Sequence, residues 1–335
     1  MRIVIFLSLL FSISFYAQRS DFKDIDFKEA DSIAKNYEGA SLKNLPILTY
    51  NLTNTLETDV EKFRSIYTWI CTNIENDYSS YLKISNKRKR LVHKRQAYLE
   101  WNTGITPKVF KTLLEDQKTA CTGYSYLVKE MANLAGFKCN IINGYGRTPT
   151  VLLKEESAPN HSWNNIEIDN KWYVCDATWS AGQTIIDDGT PRFEPNYFDG
   201  YFLAEPELFA KNHFPLSKET NEHTKTENFT TFIAGPVLYK GAFLAQVTPI
   251  FPLKMHTTIK KGELVTFKLK VQPNSYRKNI ELLTRTGGNK KSFTPTLTRD
   301  KDEIFLSHTF EKKGLYDVDI NIDNNLISTY VIKVK

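Results

Sequence analysis

The chain has few cysteines, little excess charge of either sign and, past its first residues, no long apolar run. Four cysteines in 335 residues are too few for a disulfide framework. The 44 Lys+Arg against 38 Asp+Glu leave a net charge of +6. Much of that excess sits in one run, Lys87 to Arg95, which is not the broad basic face of a nucleic-acid binder. No Cys or His spacing reads as a metal site, and Asp187-Asp188-Gly189 has too few ligands for a calcium loop. No internal repeat is visible. What is present is 41% hydrophobic and 24% charged residues, which excludes a disordered chain and leaves one large domain or two ordinary ones.

The N-terminus has the three-part layout of a secretory signal. Arg2 supplies the positive start, Ile3 to Phe15 is nearly all apolar or Ser, and Ala17 precedes Gln18 at the expected cut. Cleavage would leave residues 18–335 outside the cytosol (secreted, periplasmic or at the cell surface) with no integral membrane segment. Oxidising surroundings tend to pair exposed thiols. If one thiol is a nucleophile, at least one of the other three should be buried and inert.

Texture divides the mature chain. From about residue 26 to 136 the pattern is helical, with Val60, Phe63, Ile66, Tyr67, Ile70 and Ile74 on one face. Thr106-Pro107 reads as a helix start, and Gly136 as the stop of a helix beginning near Cys121. Strands are expected over Lys138–Tyr145, Ser162–Ile168 and Lys171–Ala177, and strand follows strand from about 233 onward. The expected boundaries are a signal over 1–17, a helical segment over 18–58, a mixed core over 59–216, a linker over 217–232 and a β-sandwich over 233–335. The overall class is α+β.

Three segments carry chemistry. Cys121 opens a helix, where unpaired N–H groups and the dipole favour a thiolate. His161 begins the segment Asn160-His161-Ser162-Trp163-Asn164, and Asp176 lies in Val174-Cys175-Asp176-Ala177-Thr178-Trp179. A thiol nucleophile, an imidazole base and a carboxylate that orients it are the parts of an acyl-transfer site. If Asp169-Asn170 is a two-residue hairpin turn, Ile168 pairs with Lys171 and Trp163 with Asp176. His161 and Asp176 then share one face on a diagonal, about 7 Å apart at the backbone. A helix on that face would bring Cys121 to His161, while Ile166, Ile168, Tyr173 and Cys175 meet a core on the other. Trp163 and Trp179 read as packing around the site. Cys71, Cys139 and Cys175 read as core thiols. The backbone N–H of Cys121 is a natural oxyanion donor, with Gln117 or Trp101 as the guesses for a second.

These segments resemble the core of the transglutaminase-like superfamily, a branch of the papain-like cysteine enzymes. The blocks that carry the resemblance are EKFRSIYTWICTNIENDY, CTGYSYLVKEMANLAGF, NHSWNNIEIDNKWYVCDATW and NYFDGYFLAEPELFAKNHFP. The last is similar to the kyphoscoliosis peptidase-like group, where an immunoglobulin-like domain follows the core. The resemblance implies Cys121 as nucleophile, His161 as base and Asp176 as orienting acid, with no cofactor and no metal. It implies a protein or peptide substrate, such as a cell-surface or cell-wall polymer. Hydrolysis is the favoured outcome, against transamidation or a non-catalytic scaffold that keeps the fold.

Overall fold

Helices α1 (Lys28–Asn36), α2 (Leu45–Thr53) and α3 (Asp59–Asn73) begin the fold in a computed structural model that describes residues 19–91, 93–217, 228–271 and 279–335. The expected signal, residues 1–17, lies outside the described residues. Thr58 starts α3 with a capping box, its hydroxyl accepting from Glu61 N while the Glu61 carboxylate accepts from Thr58 N. The stripe Val60, Phe63, Ile66, Tyr67 and Ile70 is buried, as its spacing requires. Arg64 on the same helix is buried between Asp31 and Asp199.

The strand β1 (Glu75–Asn76) leads to α4 (Tyr78–Leu91) and α5 (Arg95–Asp116). Helix α5 runs straight through Thr106-Pro107, so the expected start there is wrong. Pro107 leaves the carbonyl of Thr103, an exposed residue, without its intrahelical donor, yet the helix continues past it. A short strand β2 (Lys118–Thr119) pairs in parallel with β1, Asn76 opposite Thr119. That ladder draws the start of α6 (Cys121–Leu134) against the end of α3, and Gly136, at φ 91°, follows its last turn.

A four-stranded antiparallel sheet follows. It contains β3 (Cys139–Gly146), β4 (His161–Ile168) and β5 (Lys171–Cys175). The Asp169-Asn170 turn has φ 50° and 62°, and Ile168 pairs with Lys171, the register expected. Pairing stops at Asn164–Cys175, because the chain turns at Asp176 into α7 (Ala177–Ala181). Trp163 therefore does not face Asp176 across a ladder, and Ala177 is helical. The hairpin β6 (Gly182–Asp187) and β7 (Thr190–Pro195), helix α8 (Pro206–Phe209) and strand β8 (His213–Pro215) complete this part. The sheet order is β5-β4-β3-β8.

Helix α6 packs on the sheet face opposite to the one expected. Its Leu127, Val128, Met131 and Ala132 share a core with Ile166, Ile168, Tyr173 and Cys175. Trp163 points the other way, into a second core.

After the expected linker, most of which falls outside the described residues, two short helices and a strand intervene: α9 (Phe229–Ala234), β9 (Val237–Leu238) and α10 (Lys240–Ala245). Strand β9 is the first to join the sandwich, and the next is β10 (Val247–Phe251). The sandwich continues through β11 (His256–Ile259), β12 (Leu264–Val271), β13 (Ile280–Thr286), β14 (Asn289–Phe293), β15 (Thr296–Asp300), β16 (Glu303–Thr309), β17 (Gly314–Ile322) and β18 (Asn325–Val334). One sheet runs β10-β12-β16-β15, the other β11-β18-β17-β13-β14, with β9 also on β18. Alternate residues Val265, Phe267, Leu269 and Val271 point inward, as a sheet buried on one face requires. The sandwich core is continuous with Trp163, Phe198, Tyr201 and Phe209 of the first part. The fold is thus α+β, a core of helices and antiparallel sheet followed by an immunoglobulin-like β-sandwich. No helix among the described residues is long and apolar enough to cross a membrane.

Candidate active site

Two element starts meet here. Cys121 is the first residue of α6 and His161 the first of β4. Cys121 and His161 line one cleft, and the imidazole acts on the thiol. One ring nitrogen, Nε2, lies 2.7 Å from Asp176 Oδ2. That leaves Nδ1 as the nitrogen available to the thiol. The structure therefore brings Cys121, His161 and Asp176 together, although α6 lies on the face that the sequence did not suggest. The contact is made at strand and helix ends, where face parity matters little.

Asp176 is held from both sides. Its Oδ1 accepts from the backbone N–H of Thr178 and Trp179, capping α7. Its Oδ2 meets His161 and, at 3.1 Å, a second imidazole, His213 Nε2. All three side chains are buried. His213 lies within the NHFP block, yet nothing in the sequence marked it as a partner of Asp176. The signal available was only a histidine at an edge strand, and its partner lies 37 residues away. The amide of Asn212 spans His213 Nδ1 at 2.6 Å and the Tyr201 hydroxyl at 3.3 Å. A neutral His213 donating from Nε2 needs a donor at Nδ1. As placed, Asn212 Oδ1 faces Nδ1 and its NH2 donates to the Tyr201 hydroxyl; turning the amide by 180° would supply that donor. His161, Asp176 and His213 also form a compact group of metal-ligand types. Both imidazoles, however, point an Nε2 at one oxygen at hydrogen-bond length, and zinc would stand about 2.0 Å from each donor atom.

The charges follow from these contacts. Burial would raise the Cys121 thiol, but the hydrogen bond and charge of His161 outweigh it and hold its pKa below the ordinary value. Burial would lower His161, yet Asp176 raises it to about 10. Burial would raise Asp176, and the two imidazoles keep it well below the usual carboxylate range. His213 stays neutral, lowered by burial to about 4. These contacts favour thiolate, imidazolium and carboxylate over their neutral counterparts.

Neutral His213 has a measurable consequence. An unfolded chain protonates it near pH 6.5, whereas the folded chain resists until about pH 4. Between those values the unfolded state binds more protons, so this contribution is full above pH 6.5 and is lost as pH falls toward 4. His213→Gln keeps a donor for Asp176 but does not titrate. Urea melts at pH 7 and 4.5 should show the wild type losing about 2 kcal/mol more than the variant. Parallel losses would mean that His213 does not enter folding uncharged.

Cys121 and His161 open on a cleft of about 500 Å³. Its lining includes Tyr78, Tyr81, Trp179 and Phe198, and also Leu238, Tyr239 and Lys240 from the segment ahead of the sandwich. Trp179 stacks on the His161 ring at 4.8 Å, matching its expected packing role. Neither guess for a second oxyanion donor lines this cleft: Gln117 donates to the carbonyl of Ala40, and Trp101 packs near Tyr98 on α5. Cys71, Cys139 and Cys175 are free and buried, as is Cys121.

Comparison with known proteins agrees with this geometry. Residues 47–177 match the model of the transglutaminase-like superfamily. The chain is 30% identical to the kyphoscoliosis peptidase of Homo sapiens over 194 residues, which cover 57% of this chain and 26% of that protein. It is 30% identical to the Mus musculus kyphoscoliosis peptidase over 173 residues, 51% of this chain and 23% of that one. It is 26% identical to hillarin of Drosophila melanogaster over 207 residues, 58% of this chain and 23% of that one. The chain thus spans about a quarter of the length of these curated relatives. Residues 47–177 are thus similar to the transglutaminase-like superfamily core, and the chain around them is similar to the kyphoscoliosis peptidases.

Proposed function

We propose that this protein is a cysteine enzyme that transfers the acyl group of an amide to water. Cys121 is the nucleophile, His161 the proton carrier and Asp176 the group that orients it. The observation that carries this reading is the thiol at the start of α6, lowered in pKa by an imidazole that is itself fixed by a buried carboxylate. The thiolate attacks the carbonyl carbon, and the N–H of Cys121 faces the developing oxyanion. The proton on His161 Nδ1 passes to the leaving amine as the C–N bond breaks, leaving a thioester. Water then gives a proton back to Nδ1 and its oxygen to the acyl carbon, releasing the acid and the thiolate.

The substrate is proposed to be a protein or peptide, met outside the cytosol if Arg2 to Ala17 act as a secretory signal. Four free, buried thiols suit an oxidising compartment, because no exposed pair is available to join. Water is favoured over an amine because Asn160, Gln183 and Asn196 bring polar groups to the cleft while no carboxylate in its described lining could hold an ammonium.

Iodoacetamide at neutral pH should label Cys121 well before the others. Burial pushes Cys139 up to about 12 and holds Cys71 and Cys175 well above the ordinary range. Slow, equal labelling of all four thiols in the folded protein would end the catalytic reading. Adding a lysine analogue at millimolar concentration to a peptide-amide reaction should hardly change the acid released. Accumulation of the acyl group on the amine would make this a transamidase instead.

A further inference from the structure

Besides His161, the described lining of the cleft holds one cationic side chain, Lys240, and no carboxylate. Lys240 opens α10, which rests on β18. Gly241 beside it lies so close to the carbonyl of Leu326 that a Cβ would come within 2.3 Å of that oxygen. The backbone that carries Lys240 is therefore fixed by the last strand. The ammonium sits 4.4 Å over the ring of Phe198, another lining residue. Its pKa is lowered by desolvation, with no carboxylate to offset it.

We propose that Lys240 forms an anion-recognising subsite in this cleft, and that the acyl donor is a peptide amide bearing a carboxylate. The proposal rests on reading the cleft as the site of amide cleavage. A cation held against an aromatic ring without an acidic partner attracts an incoming carboxylate that meets no competitor there. A donor carrying an ammonium meets repulsion instead, and so does a lysine acceptor, which adds to the case for water. The other polar lining groups, among them Asn76, Asn160, Gln183 and Asn196, are neutral and bind peptide backbone without selecting charge.

The test measures binding to Cys121→Ala, so that it does not depend on turnover. The probes are blocked pentapeptide amides that differ at one position, Glu, Gln or Lys, plus the Gln peptide with a free C-terminal carboxylate. Fluorescence anisotropy should show either the Glu peptide or the free-carboxylate peptide binding about fivefold tighter than the blocked Gln peptide, the upper range for an exposed ion pair. Which of the two gains identifies the carboxylate as side-chain or terminal. The preference should shrink in high salt. It should vanish in Cys121→Ala/Lys240→Met and turn toward the Lys peptide in Cys121→Ala/Lys240→Glu, with circular dichroism confirming that both variants fold. Equal binding of all four peptides, or a preference that survives Lys240→Met, overturns the subsite. If the preference holds but wild-type protein releases no acid from the preferred peptide, the enzyme reading fails and the subsite stands.

Discussion

Cys121→Ala should bring amide hydrolysis to the solvent background, a loss of at least about 10⁴-fold, with the fold intact. The size of the loss follows from the chemistry, since no other thiol reaches the cleft and His161 alone has nothing to activate but water. Tolerance follows from the packing. The Cys121 side chain is small, and replacing its sulfur with space costs about 1 kcal/mol. The thermal midpoint should therefore stay within a few degrees of wild type. One side effect is expected, because His161 loses one of the two partners that raise it and should titrate below its wild-type value of about 10. A peptide-amide assay and a thermal melt suffice. Retained hydrolysis would assign the chemistry elsewhere.

Substitution of Asp176 should do more damage, because one carboxylate serves three elements. Asp176→Ala removes the N-cap of α7, the acceptor for His161 and the acceptor for His213 together. Breaking a buried ionic contact costs about 3–5 kcal/mol, and loss of a cap adds about 1. Global stability should fall by about 4 kcal/mol or more. Asp176→Asn separates structure from chemistry. The amide oxygen still caps α7, but its NH2 now faces Nε2 of His161, which must accept. The proton of the neutral ring then sits on Nδ1, against the thiol, and the ring no longer takes the thiol proton. Turnover should drop about 10³–10⁴-fold, with KM changed far less. The pH dependence checks the same point. Asp176 is depressed in the folded chain, so its contribution to stability is present above the ordinary carboxylate range and is lost as pH falls through that range. Asp176→Asn should flatten that acid limb. An unchanged limb together with wild-type turnover would show that the carboxylate neither orients His161 nor is held charged.

Local rules made several parts of this fold legible in the sequence. The Asp169-Asn170 turn set the register of β4 against β5, and the three-and-four spacing in α3 named its buried stripe. The residue types of Cys121, His161 and Asp176, each in its own motif, pointed to an acyl-transfer chemistry. The features that escaped are those decided by tertiary contact. Asp176 reads as a strand residue until its carboxylate is seen capping the next helix. The face chosen by α6 depends on whether Leu127 and Met131 meet Ile166 or Trp163, and both faces of β4 are buried. Pro107 looks like a start because sequence gives the penalty of a proline but not the exposed setting at Thr103 in which α5 continues past it. His213 and Lys240 reach the site from segments 37 and 64 residues beyond Asp176, a distance over which no periodicity speaks.

Part of the cleft lining hangs from the last strand of the chain. Leu238 and Val237 pair with Ser328 and Thr329, and Tyr239 N donates to the carbonyl of Ile327. Synthesis runs from the N-terminus, so the thiol and its two partners leave the ribosome long before that strand exists. A nascent chain can assemble the reactive group first and the lining that selects its substrate only at the end. Arrest of translation, or a nick ahead of Asn325, would then yield a molecule with a primed thiol and an unfinished cleft. Quality control is best watched at β18, on which residues 238–240 of the cleft lining depend.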